Sequence, residues 1–147
     1  MKHMRLSIFV FLIIASLQLS ACAPAALEEE IDKPVLLEPI AGTDLNRLTL
    51  TETAAERIGL ETAPVLTQQV EGIDRIVIPY AALLYDPSGT AWVYVNVEPL
   101  VFVRQAITVD FIKGDKAILS EGPEAGATVV TLGATELFGS EEEFEEE

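Results

Sequence analysis

Few side chains in this sequence are suited to nucleophilic, acid–base or metal chemistry, and their scarcity restricts the possible mechanisms. The 147 residues include one cysteine, Cys22, and one histidine, His3. One thiol cannot form an internal disulfide, and one histidine cannot build a histidine-rich zinc site. The 24 acidic residues leave carboxylate chemistry open, but no feature singles out a pair. We therefore expect no enzyme activity, no catalytic residue, no metal and no cofactor.

The charge of the chain excludes two further classes of partner. Nine basic residues face 24 acidic ones, which gives a formal charge of −15. Affinity for nucleic acid comes largely from Lys and Arg that neutralise phosphates. Docking on anionic lipid through a basic patch needs the same side chains. We therefore expect neither nucleic-acid binding nor electrostatic membrane binding, and the length suits one domain.

The N-terminal residues have the features of a bacterial lipoprotein signal. Lys2 and Arg5 form a short basic region, and the apolar run over residues 6–19 is too short to span a bilayer stably. The sequence Leu19-Ser20-Ala21-Cys22 resembles a lipobox, at which Cys22 receives a diacylglyceryl group and becomes the new N-terminus. We predict a signal peptide over residues 1–21 and lipidation of Cys22. The alternative is an ordinary secretory signal with a chance cysteine.

Two charged segments flank the part that we expect to fold. Residues 22–42 contain three prolines and three consecutive glutamates without a sustained period, which predicts a lipidated, extended linker. Residues 139–147 are mostly glutamates, and like charges at this density repel and stay hydrated. We predict a disordered acidic tail there. A weak site for a divalent cation or a basic partner is the alternative.

Residues 43–73 are predicted to form a strand near Leu48 followed by a short helix. Thr53 and Glu56 fit a capping box, and Gly59 fits a cap at the C-terminal end of that helix. The helix is therefore expected over one or two turns ending at Gly59.

Residues 74–138 show strand patterns separated by turn signals. Asp86-Pro87-Ser88-Gly89 has the residue order of a type I turn. The following strand, residues 91–97, has apolar bulk on both faces, so we expect both to be partly covered. Residues 101–112 are predicted to be one long strand. A domain of this size buries little surface unless its sheet closes, which favours a small barrel.

Two stretches resemble the periplasmic adaptor subunits, or membrane fusion proteins, of resistance-nodulation-division efflux pumps. The longer one is similar in order and spacing to their C-terminal membrane-proximal domain, and the shorter one to the segment that opens their folded part. The matching positions are 78–86, 89, 92–95, 104, 107–109, 114–115, 118–122, 125–126 and 129–134, and then 48–51, 55, 58–60 and 62–65. The resemblance implies a mainly β fold: a small SH3-like or permuted β-barrel with one short helix, preceded by an extended linker.

The chain departs from this family between the two stretches. Only residues 66–73 separate them, where the adaptors have a helical hairpin, lipoyl-like motifs and a second barrel. The resemblance therefore implies a lipid-anchored, non-catalytic accessory module of an efflux system, not a bridge between membranes. The implied partner is a transporter permease or another efflux-complex subunit. The alternative is a cell-envelope structural or ligand-binding lipoprotein that reuses a small β-barrel.

The expected location is the cell envelope, outside the cytoplasm. Ala23 follows the lipidated cysteine in place of the aspartate that retains many lipoproteins in the inner membrane. The resemblance thus implies the periplasmic side of the outer membrane in a host with two membranes. In a host with one membrane it implies the outer leaflet of the cytoplasmic membrane.

Four residues are candidates for docking a protein partner: Tyr80, Tyr85, Trp92 and Arg104. Aromatic residues concentrate at the centres of interfaces, and an arginine can bind a partner carboxylate through two hydrogen bonds. The alternative for the aromatic residues is a place in the barrel's core and rim. The alternative for Arg104, and for Arg75, is an internal ion pair.

Overall fold

Alternation of apolar and polar side chains produces strands along most of the chain. The computed structural model describes residues 33–145 and is mainly β, which confirms the predicted fold class. The strands are β1 (Val35–Pro39), β2 (Asn46–Leu50), β3 (Glu61–Pro64), β4 (Leu66–Val70), β5 (Ile73–Pro79), β6 (Leu84–Tyr85), β7 (Ala91–Glu98), β8 (Val101–Ala106), β9 (Thr108–Lys113), β10 (Lys116–Glu121) and β11 (Thr128–Leu132). The helices are α1 (Glu52–Arg57) and α2 (Ala134–Glu145), and Tyr80–Ala82 form a 3₁₀ turn.

The strands pair into two sheets, in which the pairs are antiparallel. The seven-stranded sheet has the order β1-β2-β8-β7-β11-β3, and β6 pairs with β7 beside β11. The four-stranded sheet has the order β4-β5-β10-β9. Within residues 33–145 no strand pairing closes either sheet into a barrel. The three strands that precede residue 66 extend the larger sheet, so surface is buried by stacking of layers.

The seven-stranded sheet is covered on both faces. On one face, α1 and α2 pack over a core made of Leu48, Leu50, Ala54, Ala55, Tyr94, Phe102, Val130, Ala134 and Leu137. On the other, the four-stranded sheet packs over a second core made of Val65, Ile78, Ala82, Val93, Ile107, Ala117, Leu119 and Val129. Val93 and Tyr94 thus enter different cores from one strand. This confirms the prediction that both faces of β7 are covered.

Helix α1 exists as predicted, but its cap lies two residues earlier than the sequence pattern indicated. Thr51 is the N-cap, and its hydroxyl oxygen accepts a hydrogen bond from the Ala54 amide at 3.1 Å. Ala54 and Ala55 turn into the core, which fixes the phase of the helix. Gly59 has a φ of 62°, the left-handed conformation that favours glycine after a helix.

The predicted long strand over residues 101–112 is wrong, because the chain passes there from one sheet to the other. β8 pairs with β2 and β7 in the seven-stranded sheet, whereas β9 pairs with β10 in the four-stranded sheet. Ile107 lies between them, is buried in the core between the sheets and donates its amide to the Ala91 carbonyl at 3.0 Å. A regular alternation is kept across this crossing, so the pattern does not reveal it.

Both predicted flanking segments are more ordered than expected. Within the linker predicted for residues 22–42, β1 pairs with β2, and Val35 and Leu37 pack against the helix-covered core. Within the tail predicted for residues 139–147, α2 continues to Glu145 and buries Glu141 completely. In each case apolar contacts with the larger sheet outweigh the local charge pattern. Cys22 and the predicted signal peptide lie outside the described residues.

The predicted boundary between residues 73 and 74 does not separate two structural units. β3 pairs with β11, β2 pairs with β8 and β4 pairs with β5, so both sheets contain strands from both sides of the boundary. Residues 33–145 belong to one compact unit. Neither helix in this part of the chain is long and apolar enough to cross a membrane.

Candidate functional site

Oppositely charged side chains contact each other at several places in the described part of the chain. Arg47 contacts Glu98 at 2.8 Å, Arg75 contacts Asp110 at 3.4 Å and Arg104 contacts Glu141 at 3.5 Å. The internal ion pairs considered for Arg75 and Arg104 are therefore present. Within residues 33–145 no three or more His, Cys, Asp or Glu side chains are placed to hold a metal ion.

The predicted turn at Asp86 forms and fixes the orientation of Trp92. The Gly89 amide donates to the Asp86 carbonyl at 2.9 Å, as a four-residue turn requires. The Asp86 carboxylate accepts hydrogen bonds from the Ser88 hydroxyl at 2.6 Å, from the amides of Ser88 and Thr90, and from the Trp92 indole at 3.0 Å. These donors, the Ser88 hydroxyl first, lower the pKa of Asp86 to about 2. The carboxylate thus holds the indole ring beside the sheet.

A polar cluster lies buried between α2 and the seven-stranded sheet. Tyr94 and Arg104 are opposite each other on β7 and β8, so their side chains share the face below α2. The Tyr94 hydroxyl donates to Glu141 Oε2 at 2.7 Å, and Arg104 Nε lies 3.5 Å from the same oxygen. Glu141 is 0% exposed and Arg104 is 8% exposed. A charged pair is therefore enclosed where an apolar core would be expected.

Aromatic rings enclose the guanidinium group of this cluster. Its central carbon lies 4.5 Å from the centroid of the Trp92 ring and 5.2 Å from that of Phe138. Both distances are within the range of cation–π attraction, which is stronger when the charge is desolvated. Trp92 approaches from the sheet and Phe138 from α2. Arg104 is thus sandwiched between two layers of the protein.

Hydrogen bonding within this cluster is incomplete. Arg104 Nε and Glu141 Oε1 are buried without a hydrogen-bond partner. Burial and the adjacent Glu141 carboxylate raise the pKa of Tyr94, so its hydroxyl remains a proton donor at ordinary pH. The site therefore combines a neutral donor, a fixed cation and an unfilled donor position, which together suit a carboxylate.

The four predicted docking residues do not form one patch. Trp92 and Arg104 meet below α2, where Arg104 is enclosed and is not available to a partner while α2 is in place. Tyr85 is 54% exposed on the short strand β6, and Tyr80 is 52% exposed beside the β9–β10 turn, where its amide donates to the Asp115 carbonyl. Of the four candidate residues, only Tyr80 and Tyr85 are exposed enough to contact a partner.

Glu141 was missed by the sequence patterns because it stands in a run of glutamates. Its signal was its spacing from two apolar residues: Leu137 and Phe138 precede it by four and three positions, so the three residues share one helix face. Leu137 is buried in the core and Phe138 packs against it. The face therefore continues into the acidic run.

A second feature is the outer face of the four-stranded sheet, which points away from the larger sheet. Register shows that the side chains on this face are Leu66, Gln68, Val70, Ile73, Arg75, Val77, Pro79, Phe111, Lys113, Lys116 and Ile118. Three of the chain's nine basic residues are in this set, although the chain as a whole is strongly acidic. Leu66 and Ile73 are exposed large apolar residues. Arg75 is paired with Asp110, so the outer face combines the charges of Lys113 and Lys116 with exposed apolar surface.

A groove of about 380 Å³ runs along the outer face. Val77 and Ile118 are almost fully buried at its floor, and its walls carry two basic residues, Lys113 and Lys116, and two acidic ones, Glu71 and Asp115. Lys116 Nζ donates to Gln68 Oε1 at 3.0 Å, whereas Lys113 has no partner within the described part of the chain. A partner that supplies a carboxylate and an apolar side chain would complement this groove.

No known protein family, curated protein or solved structure matches this chain.

Proposed function

We propose that this protein is a lipid-anchored, non-catalytic docking module of a transport complex in the cell envelope. The observation that carries the proposal is the outer face of the four-stranded sheet, where Lys113, without a partner in the described part of the chain, lies beside exposed apolar side chains in a chain with a formal charge of −15. The resemblance to efflux adaptors supplies the type of complex, and the lipobox at Cys22 supplies the anchor.

Partner recognition follows from the charges of the groove. Lys113 and Lys116 lie beside an apolar floor, so the complementary surface carries carboxylates around one or more apolar side chains. A periplasmic loop of a transporter permease, or of another efflux-complex subunit, is the partner that the resemblance implies. Tyr80 lies beside the turn that holds both lysines and would border such an interface.

Crosslinking in native membranes tests this docking. The only lysines after Cys22 are Lys33, Lys113 and Lys116, so an amine-reactive crosslinker followed by mass spectrometry reports chiefly on the outer face. We expect capture of a transporter component through Lys116, and we expect Lys113→Glu, which leaves that amine in place, to abolish it. Arg57→Glu is the matched control, because it reverses one charge at an exposed position on α1. Equal capture by both variants, or capture of no transporter component, would overturn the proposal.

The anchor is tested separately from the docking. The proposal predicts that labelled palmitate is incorporated into the wild-type protein and that the protein sediments with membranes. Cys22→Ala should abolish both, because the thioether to the diacylglyceryl group can form only at this thiol. Membrane association that persists without label in Cys22→Ala would disprove lipid anchoring without bearing on the outer face.

The groove also favours a second candidate, a ligand-binding lipoprotein of the cell envelope. Its volume of about 380 Å³ falls within the range of small-molecule sites, and Gln68, Lys113 and Lys116 supply polar groups. Native mass spectrometry of the protein purified from its host tests this candidate. A bound anionic molecule that is lost in Lys113→Glu would support it, and an unliganded mass together with transporter capture would exclude it.

A further inference from the structure

The polar cluster below α2 consists of two halves with different positions in the fold. Tyr94, Arg104 and Trp92 lie on β7 and β8, interior strands of the seven-stranded sheet. Glu141 lies on α2, which is joined to the end of β11 by the single residue Gly133. The sheet half is therefore fixed by strand pairing on both sides, whereas the helix half is held by side-chain packing alone.

Several features make α2 a poor permanent occupant. It contains a glycine, Gly139, at an interior position, its last turn has no basic residue, and glutamates near its C-terminal end oppose the helix dipole. A groove of about 190 Å³ remains between α2, α1 and β1, so the helix does not fill the space beside Leu137. The helix is held chiefly by burial of Leu137, Phe138 and Glu141.

The contact that Glu141 makes is also incomplete on both sides. Its Oε1 atom and Arg104 Nε are each buried without a hydrogen bond, although one is an acceptor and the other a donor. The approach of 3.5 Å between Arg104 Nε and Glu141 Oε2 is longer than a good charge-assisted hydrogen bond. A carboxylate placed slightly differently would accept hydrogen bonds from both the Tyr94 hydroxyl and Arg104 Nε. The sheet half would thus bind a differently placed carboxylate better than it binds the Glu141 carboxylate.

We propose that Tyr94, Arg104 and Trp92 form a binding site for the carboxylate of an acidic, amphipathic helix of a partner protein, and that Glu141 occupies this site in cis until such a helix displaces α2. The partner helix carries a carboxylate three and four positions after two apolar residues, as Glu141 follows Phe138 and Leu137. The site lies on the opposite side of the seven-stranded sheet from the outer face. It therefore stands or falls independently of the proposed function.

The probe for this site is a synthetic peptide with the sequence of residues 134–145, titrated into the full chain. Trp92 is the only tryptophan and touches Arg104, so its fluorescence reports occupancy. We expect Glu141→Gln to bind the peptide at least tenfold more tightly than the wild type, because the cis carboxylate is lost. A peptide with glutamine in place of its own Glu141 should not bind, and Arg104→Met should bind neither peptide.

Glu143→Gln is the matched control, because it removes the same charge from an exposed position of the same helix. Its affinity for the peptide should equal that of the wild type. In the wild-type chain, saturating peptide should speed hydrogen exchange of the α2 amides and leave α1 unchanged, a result that needs no variant to fold. Equal binding by Glu141→Gln and Glu143→Gln, unchanged exchange in α2, or a concentration-dependent dimer formed by exchange of α2 between two copies would overturn the proposal.

Discussion

Tyr94 shows how one hydroxyl group stabilises a buried charge. It supplies the only hydrogen bond among the described residues that reaches the Glu141 carboxylate, at 2.7 Å. Its pKa is raised by burial and by that carboxylate, so the proton stays on the phenol and the bond persists across the ordinary pH range. Removing the hydroxyl would leave both carboxylate oxygens without a hydrogen bond.

Tyr94→Phe should therefore lower the free energy of unfolding by about 1–3 kcal/mol, the usual cost of leaving a buried polar group unsatisfied. Urea denaturation followed by circular dichroism measures this change. Tyr85→Phe is the control, since Tyr85 is exposed on β6 and should change stability by less than about 0.5 kcal/mol. Equal effects of the two substitutions would show that the Tyr94–Glu141 bond contributes nothing to stability.

Asp86 gives a pH-dependent prediction. Its pKa in the folded protein, about 2, lies below the ordinary value of 3.8, so the ionised form stabilises the turn. That contribution is complete above about pH 4 and is lost as the pH falls through about 2. Ser88→Ala removes the largest cause, and NMR titration of the carboxyl group should then give a pKa closer to 3.8. Ser120→Ala should leave it unchanged, and an unshifted pKa in Ser88→Ala would contradict the assignment.

The contrast between Asp86 and Glu141 shows which residues could be predicted from sequence. Asp86 bonds within its own turn, so residues 86–92 contain the whole arrangement. Glu141 bonds to residues 47 and 37 positions away, and nothing in its neighbours marks the one glutamate of the run that turns inward. Local rules describe a run of glutamates as hydrated, and tertiary packing selected the exception.

At the scale of the element, the cap of α1 offers a direct comparison between sequence pattern and structure. Thr51→Ala removes the hydroxyl that accepts the Ala54 amide, and the expected loss is about 1 kcal/mol in the free energy of unfolding. Thr53→Ala tests the cap that the sequence pattern indicated, and it should have little effect because Thr53 is exposed within the helix. Thermal unfolding of both variants measures the difference. A larger loss for Thr53→Ala would contradict the cap at Thr51.

Strands were easier to predict than their partners. Alternation located most of residues 74–132 as β structure, because each strand presents one face to a core. Alternation is the same in either sheet, however, so it could not show that β8 and β9 belong to different sheets. It also could not show that β1 to β3 extend the larger sheet, since those pairings depend on residues far along the chain.

At the scale of the whole molecule, α2 forms one of three layers. Ending the chain after Ser140 removes Glu141 and leaves the Arg104 charge beneath the remaining helix without its partner. We expect a loss of about 2–3 kcal/mol in the free energy of unfolding, below the usual 3–5 kcal/mol for a broken buried pair because water would reach Arg104. Denaturant titration measures it. Ending the chain after Glu143 is the control. Equal stability of the two truncated chains would contradict a stabilising role for Glu141 and would support the predicted disordered tail.

Pairing between β3 and β11 joins strands that lie far apart along the chain. Ala63 pairs with Val129, and β11 is also the neighbour of β7 on one side. Closing such a long loop costs conformational entropy before the strand pair forms. Proteins dominated by distant strand pairs therefore fold slowly. A nascent chain that has not reached Leu132 cannot complete the larger sheet. Completion of the larger sheet is therefore a late event in the synthesis of the described part of the chain.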